Sequence, residues 1–205
     1  MLSNKFKFNY SFGAVANGVK TDTFTFFLLF FYSNIIGLNP ALAGSAIFIA
    51  LCIDAVTDPL MGTISDRTNS SLGRRHPYML ISFIPMSLGY IFLFAPRQDW
   101  DMSQTDLFVW MTIFTVLTRV GMTLFDIPHR AFGGEITKDY QDRTILMSWR
   151  EAFGWIAGLS NAFLGYGIFF ASTPEYPQGQ LNPDAWFPFC LIYTSDAADD
   201  DACVD

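Results

Sequence analysis

The sequence predicts an all-α membrane protein, and three observations support this fold class. Of the 205 residues, 51% are apolar and only 15% are charged, whereas soluble domains carry about 25% charged residues. Long uncharged runs recur along the chain, each near the roughly 20 residues that a helix needs to cross a bilayer. The basic residues gather in alternate loops, as in proteins that cross a membrane several times. The formal net charge of −7 also argues against binding of nucleic acid, which requires a basic surface.

Five complete transmembrane helices and the start of a sixth are predicted from the uncharged runs. The longest run, Thr23–Ile53, is divided by Gly37–Pro40, a turn signal. Five such segments in succession argue against the buried helices of a soluble protein. The predicted helices span residues 11–36, 42–64, 77–96, 107–132, 145–170 and, as a partial sixth helix, 185–192.

The sixth predicted helix is short because acidic residues follow it. Residues 185–195 are uncharged, but four aspartates occur between positions 196 and 201, and each carboxylate costs a few kcal/mol near the bilayer centre. Residues 193–205 contain five acids and no base. We interpret this segment as not native to the protein rather than as an acidic interaction tail, and residues 1–192 as the membrane part of a longer protein.

The loop charges predict the orientation in the membrane. With the N-terminus on the cytoplasmic side, the outer loops carry only one basic residue, Arg97. Basic loops remain on the cytoplasmic side during insertion, so the sequence predicts a multi-pass protein of the plasma (inner) membrane with a cytoplasmic N-terminus. The basic residues of the inner segments are Lys5, Lys7, Arg67, Arg74, Arg75, Lys138 and Arg143.

Two acids lie inside the second predicted helix. Asp54 and Asp58 are four residues apart, so their carboxylates lie on one helix face, one turn apart. Two such charges repel each other in a low-dielectric setting unless a cation or a proton lies between them. The pattern indicates a site for a coupling Na⁺ or H⁺, in which the adjacent Thr57 hydroxyl could add an oxygen ligand. The alternative is a pair of structural acids bonded to basic residues of neighbouring helices.

The fourth and fifth predicted helices carry further charges. Arg119 and Asp126 lie seven residues apart on nearly one stripe, and Pro128 just beyond them bends the helix and frees a carbonyl. Asp126 could accept hydrogen bonds from substrate hydroxyls, or it could be the ion-pair partner of Arg119 or Arg150. Arg150 and Glu151 open the fifth helix, where one of them faces inward unless both extend to the interface.

The first helix contains Asn17, Lys20 and Asp22, which form either a polar stripe towards a cavity or, for the last two, a local ion pair. In the fifth helix a stripe of small residues permits close helix packing. The members of this stripe are Gly154, Gly158, Ala162 and Gly165.

Motifs typical of enzymes are missing from the sequence. It contains no H-E-x-x-H, G-x-S-x-G or P-loop pattern, and its three cysteines form no C-x-x-C pair. His76 and His129 lie at the ends of predicted helices and are not expected to bind a metal. We therefore expect a protein that is not an enzyme and that has no resident cofactor.

The loop after the second helix completes a specific pattern. It runs from Gly62 to Pro77 and contains an Asp-Arg pair and a Gly-Arg-Arg triplet. The D-x-x-x-D-P motif of Asp54–Pro59 comes before this loop, and Asp126–Pro128 and Asp142–Thr144 follow it. With these motifs, the sequence resembles the glycoside–pentoside–hexuronide:cation symporter family of the major facilitator superfamily, which includes the melibiose permease. The likeness covers about residues 8–192.

This resemblance implies the N-terminal six-helix bundle of the superfamily, with the sixth helix truncated. It implies a fragment of a secondary transporter that couples Na⁺ or H⁺ movement to sugar or glycoside uptake by alternating access. The implied partners are the sugar, the coupling cation, the lipid bilayer and the missing C-terminal half of the same protein. The alternatives are the same scaffold with a lysophospholipid or a uronide as substrate, or a sensor or scaffold that does not transport.

The resemblance also implies roles for single residues. Asp54 and Asp58 match the paired acids of the cation site, which hold Na⁺ if the symporter is sodium-coupled, and Thr57 and Thr123 match positions that border this site. A group of loop residues matches a conformational latch, which ties helix ends together in one state and releases them in the other. The latch residues are Gly62, Asp66, Arg67, Gly73, Arg74 and Arg75.

The substrate site is implied on three helices, with two departures from the family pattern. Asp126 matches a sugar-binding acid and Arg150 a functionally important arginine. The substrate-binding candidates are Asp126, Arg150, Asp22 and Asn17. Gly18 stands where the melibiose permease has a sugar-binding aspartate on its first helix, and Arg130 replaces an aromatic residue. Both departures argue against a galactoside like melibiose as the substrate.

Overall fold

The computed structural model describes residues 3–71, 73–137 and 139–189 of the chain. These residues form helices and loops and contain no strand, so the predicted all-α fold class is confirmed for them. The end of the predicted sixth helix, the acidic segment 193–205 and Lys138 lie outside the described residues. The start of the sixth helix is visible, because residues 186–189 are helical.

Within the described residues, six complete α-helices are joined by short π-helical and 3₁₀-helical pieces. The α-helices are α1 (Asn4–Phe12), α2 (Val15–Asp22), α3 (Pro40–Arg67), α4 (His76–Leu93), α5 (Gln104–Ile136) and α6 (Tyr140–Leu164). The π-helical turns are Thr23–Leu28, Phe31–Ile36 and Gly165–Phe169, and the 3₁₀ turns are Gln98–Trp100, Gly179–Leu181 and Pro183–Ala185. Among the described helices, α3, α4, α5 and α6 with its π-helical extension are long and apolar enough to cross a membrane.

The first predicted span differs from the expected single helix. It consists of α1, α2 and two π-helical turns, with a break at Gly13 and Ala14 between the two α-helices. The other spans correspond to one helix each, and α5 is longer than the predicted 107–132. The turn expected at Gly37–Pro40 is present: Gly37 adopts a left-handed conformation with φ of 86°, and the Asn39 side chain caps α3 by accepting from the Ala41 amide at 2.9 Å.

Glycines set the distances at which the helices pack. Helix α5 packs against α4 and α3, whereas α6 packs against α1 and α2. A side chain at Gly121 would meet the backbone of Met86 on α4. A side chain at Gly18 would overlap the backbone of Gly154 on α6, so the predicted small-residue stripe of the fifth helix is a packing surface.

Apolar side chains divide into a buried core and an exposed outer surface. The core is aromatic, with Phe27, Phe31, Tyr32 and Trp186 at most 2% exposed. Large apolar side chains remain exposed on the outside of α3, α4 and α6, as expected for surfaces that face lipid. Examples are Phe48, Val56, Ile84, Trp155, Leu159 and Phe163.

Candidate functional site

Helices α2, α3 and α5 enclose an open polar cavity of about 160 Å³. A second cavity of about 140 Å³ lies beside it, between α2, α5 and α6, and shares Asn17, Thr21 and Arg130 with the first. The charged and polar lining of the first cavity includes Asn17, Asp54, Asp58, Arg119, Thr123 and Asp126. Two groups of charges therefore meet in one cavity.

The first group is the acid pair, Asp54 and Asp58, together with its contacts on α5. Asp54 Oδ2 accepts a hydrogen bond from Arg119 Nη1 at 2.8 Å. Asp58 Oδ1 accepts from the Thr123 hydroxyl at 2.7 Å, and no basic side chain of the described residues pairs with it. Thr57 donates instead to the backbone carbonyl of Asp54, at 3.5 Å. Asp54 thus fits the alternative of a structural acid bonded to a basic residue of a neighbouring helix. Asp58, which has no basic partner among the described residues, fits the alternative of a cation site.

The acid pair and Arg119 carry one net negative charge, since two carboxylates face one guanidinium. In addition, Asp54 Oδ1 is buried and has no hydrogen-bond partner. An unpartnered carboxylate oxygen, a hydroxyl and a second carboxylate that line one cavity are the oxygen donors that a hard monovalent cation prefers. The residues present therefore fit a small cation.

The second group, the arginine cluster, consists of Asp126, Arg130, Arg150 and Glu151. Asp126 accepts from Arg150, from Arg130 Nε at 2.6 Å and from Asn17 Nδ2 at 3.1 Å. Arg150 also donates to Glu151 at 2.6 Å. The expected inward-facing member of the Arg150–Glu151 pair is Arg150, whose side chain is 2% exposed, whereas that of Glu151 is 53% exposed. Two arginines face two carboxylates, so this cluster is neutral.

The ion pairs differ from the interpretation that Asp126 pairs with Arg119, and they agree with the alternative that it pairs with Arg150. Asp126 pairs with Arg150 and with Arg130 on its own helix, whereas Arg119 pairs with Asp54 on α3. The seven-residue spacing of Arg119 and Asp126 places them about two turns apart along α5, which is too far for a direct contact. Arg119 therefore pairs with an acid of α3, and Asp126 pairs both with Arg150 of α6 and with Arg130 of α5.

His129 and Tyr10 support Arg150 from the side of α1. His129 Nδ1 accepts from Arg150 Nε at 3.2 Å, and its ring stacks on Tyr10 at a centroid distance of 4.5 Å and on Phe125 at 5.2 Å. The Tyr10 hydroxyl donates to the His129 carbonyl at 2.8 Å. Sequence reasoning gave no role to either residue. The signal that could have found His129 is an imidazole directly after Pro128, within one turn of Asp126.

The remaining substrate candidates lie at the second cavity. Asn17 lines both cavities, and Asp22 lines the second while packing closely against Gly158 of α6. Gly18 has no room for a side chain, because the backbone of Gly154 occupies the space that a Cβ would need. An aspartate at this position would require α2 and α6 to move apart.

The latch residues meet where α3 and α5 end and α4 begins. Arg75 donates to Asp66 at 2.8 Å and to Glu135 at 2.9 Å, and Arg74 donates to Glu135 at 3.1 Å. Gly73 has a φ of 90°, which turns the loop so that both arginines can reach α5. Glu135 at the end of α5 was not predicted, although an acid opposite a basic loop is a readable signal.

Two latch candidates make less contact than the others. The Arg67 side chain is exposed, and none of the ion pairs among the described residues includes it. Gly62 lies in α3 opposite α5, where a Cβ would be 3.8 Å from Ile127 Cγ2. Of the predicted latch, the structure therefore joins Asp66, Arg74 and Arg75.

Comparison with known proteins relates this arrangement to transporters. Residues 9–195 match the MFS/sugar transport protein family. The chain is 34% identical over 178 residues to the symporter sll1374 of Synechocystis, covering 85% of this chain and 32% of that protein. It is 32% identical over 155 residues to the sodium-dependent lysophosphatidylcholine symporter 1-A of Danio rerio, covering 73% and 28% of the two chains. It is 26% identical over 170 residues to the glucuronide carrier protein homolog of Escherichia coli, covering 81% and 36%. The chain thus spans about a third of the length of these relatives.

Proposed function

Because the chain belongs to the MFS/sugar transport protein family, we propose that it forms part of a transporter that couples inward movement of Na⁺ or H⁺ to uptake of a sugar or glycoside. The chain is a multi-pass integral membrane protein, and the loop charges favour a cytoplasmic N-terminus. Its relatives are more than twice as long, so the proposed transport cycle belongs to the protein that contains this chain together with a C-terminal half.

The proposal rests on the charge of the acid pair, which has two carboxylates but only one basic partner among the described residues. Asp54 and Asp58 face the cavity, and among the described residues Arg119 is the single basic side chain that pairs with either of them. A net charge that is buried beside a cavity is stabilised when a mobile cation binds. The coupling cation, as a transported substrate, would be held by the Asp58 carboxylate, by the Thr123 hydroxyl and by Asp54 Oδ1.

The second substrate would bind at the arginine cluster. Asp126 and Asn17 present a carboxylate and an amide, which are suitable partners for the hydroxyl groups of a sugar. The cluster is neutral, so a neutral ligand can bind without leaving a surplus charge. Arg150 orients Asp126 and is itself held by His129.

Coupling follows from the shared cavity. Asp58 of the cation site and Asp126 of the substrate site line the same 160 Å³ cavity, on helices that pack directly against each other. A cation at Asp58 changes the field at Asp126 and removes repulsion between the carboxylates. Cation binding therefore favours the substrate-binding state, and the loaded protein changes its side of access. The latch at Arg75 would hold the cytoplasmic helix ends in one of the two states.

The proposal is tested by uptake into membrane vesicles that contain the intact protein. The probes are labelled methyl glycosides, a glucuronide and lysophosphatidylcholine, each with an imposed Na⁺ or H⁺ gradient. We expect gradient-driven accumulation of a glycoside by the wild type and its loss, by about 100-fold, in Asp58→Asn. Asp99→Asn, which changes an exposed aspartate of an outer turn, is the matched control and retains accumulation.

The same panel separates the proposal from its alternatives. A second candidate substrate is a lysophospholipid, because a sodium-dependent lysophosphatidylcholine symporter is 32% identical to this chain. Accumulation of lysophosphatidylcholine or of the glucuronide in place of neutral glycosides would replace the substrate but keep the cation site. Folded protein that accumulates no probe under either gradient would contradict transport and favour a sensor or scaffold.

A further inference from the structure

Arg119 places a fixed positive charge inside the proposed cation site. The residue lies in the middle of α5, and its Nη1 donates to Asp54 Oδ2 at 2.8 Å. Its Cζ lies 5.6 Å from the centroid of the Phe24 ring, within the distance of a cation–π interaction. Contacts from two helices therefore hold the guanidinium beside the acid pair.

The two acids differ because of this arginine. Asp54 is partnered by Arg119, whereas Asp58 accepts only from Thr123 among the described residues. Two carboxylates and one guanidinium sum to a charge of −1. One monovalent cation at Asp58 neutralises the site, and a second one would leave a surplus of positive charge.

The contact between Asp54 and Arg119 is also incomplete. A carboxylate and a guanidinium can form two parallel hydrogen bonds, but here Asp54 Oδ1 and Arg119 Nε are both buried without a partner. Unsatisfied buried polar atoms favour any rearrangement that supplies them with partners. With only one hydrogen bond between them, Arg119 stands beside Asp54 as a counter-charge, in the position that a bound cation would otherwise take.

We propose, building on the cation site assigned above, that Arg119 is a built-in cation that occupies the Asp54 half of the acid pair and makes the site selective for H⁺ over Na⁺. A proton needs one carboxylate oxygen and converts Asp58 into a neutral group. Na⁺ needs several oxygen ligands and keeps its full charge. The guanidinium beside Asp54 repels it and occupies Asp54 Oδ2, which leaves only Oδ1 of this carboxylate for the ion.

The test is direct binding of ²²Na⁺ to the purified intact protein, in buffers balanced with choline at fixed pH. The wild type is expected to bind Na⁺ weakly. Arg119→Gln, which frees Asp54 and gives the site a charge of −2, is expected to bind Na⁺ at least ten-fold more tightly. The double variant Asp54→Asn with Arg119→Gln restores a charge of −1 with one carboxylate and is expected to remain within two-fold of the wild type.

Two controls separate this inference from general effects of the substitution. Arg97→Gln removes an arginine from an outer loop and leaves Na⁺ binding unchanged. Arg119→Lys keeps the positive charge and keeps Na⁺ binding weak, so it tests the charge even where Arg119→Gln does not fold.

The remaining outcomes distinguish an error in the role of Arg119 from an error in the position of the cation site. Na⁺ binding by Arg119→Gln within two-fold of the wild type, tight binding by the double variant, or tight binding by Arg119→Lys would overturn the role of Arg119. Asp58→Asn in the Arg119→Gln background is expected to abolish Na⁺ binding. If binding persists there, the cation lies elsewhere and the proposed function, rather than the selectivity, has to be revised.

Discussion

The acid pair and the arginine cluster line two adjacent cavities that share Asn17, Thr21 and Arg130, but their charges are balanced differently. The acid pair has one arginine for two carboxylates, and Arg119 holds Asp54 by a single hydrogen bond. The arginine cluster has two arginines for two carboxylates, and Arg150 reaches three different side chains. The acid pair has one carboxylate more than it has arginines, so a mobile cation can bind to it and be released. The arginine cluster is satisfied internally and is suited to hold a site in a fixed geometry.

The largest effect is expected from a substitution in the arginine cluster. Arg150→Gln removes a guanidinium that is 2% exposed and leaves Asp126 with the half-exposed Arg130 as its basic partner among the described residues. The loss is expected to cost about 3 kcal/mol in the free energy of unfolding. Arg119→Gln is expected to cost only about 1 kcal/mol, because the open cavity lets water and cations reach Asp54. Equilibrium unfolding of the intact protein in mixed detergent micelles measures both. Equal losses in the two variants would refute the distinction.

The next largest effect concerns the helix contact that assembles the arginine cluster. Gly18→Ala would place a methyl group on the backbone of Gly154, and such overpacking is expected to cost about 1–3 kcal/mol in unfolding free energy. Gly134→Ala is the matched control, because a Cβ at Gly134 meets no atom within 4 Å. The control is expected to be neutral or slightly stabilising, since alanine is the better helix former. The same unfolding measurement compares them, and a neutral Gly18→Ala would show that α2 and α6 can separate at no cost.

A smaller effect tests whether Asn17 belongs to the substrate site. Asn17→Ala removes an amide that lines the cavity beside Asp126, and the hydrogen bond that this amide would form with a sugar hydroxyl contributes about 1–1.5 kcal/mol. The KM of the transported glycoside is therefore expected to rise about ten-fold, with no change in the preference for H⁺ or Na⁺. Asn34→Ala, in the same span but bonded only to its own helix, provides the control. A changed cation preference in Asn17→Ala would show that the two charge groups are not separable.

Sequence reasoning could locate the acid pair, because helix geometry fixes it. A spacing of four residues puts Asp54 and Asp58 on one face whatever the tertiary structure is. The turn at Gly37–Pro40 was equally local, since a left-handed glycine and an asparagine cap are properties of a few adjacent residues. Uncharged runs located the four described helices that are long and apolar enough to cross a membrane.

The partners across helices could not be predicted in the same way. Which acid receives Arg119 depends on how far α3 and α5 are shifted along each other, and the shift is set by packing that involves residues far apart in the chain. The roles of His129 and Glu135 depend on contacts with Arg150 and Arg75, which are 21 and 60 residues away. The break in the first span at Gly13 was hidden because no proline marks it.

The smallest expected effect lies outside the cavity, in the latch, and separates the rate of transport from its selectivity. Arg75 is 7% exposed and bridges Asp66 and Glu135, whereas Arg74 is 53% exposed and has one partner. Exposed ion pairs contribute little, so Arg75→Gln is expected to lower kcat about five-fold and Arg74→Gln less than two-fold, with KM unchanged in both. Vesicle uptake kinetics measure these values. Because neither arginine touches the acid pair, the ratio of H⁺-driven to Na⁺-driven uptake is expected to equal that of the wild type. A shift of this ratio in Arg75→Gln would mean that the charge balance of the acid pair is controlled from the cytoplasmic helix ends rather than by Arg119.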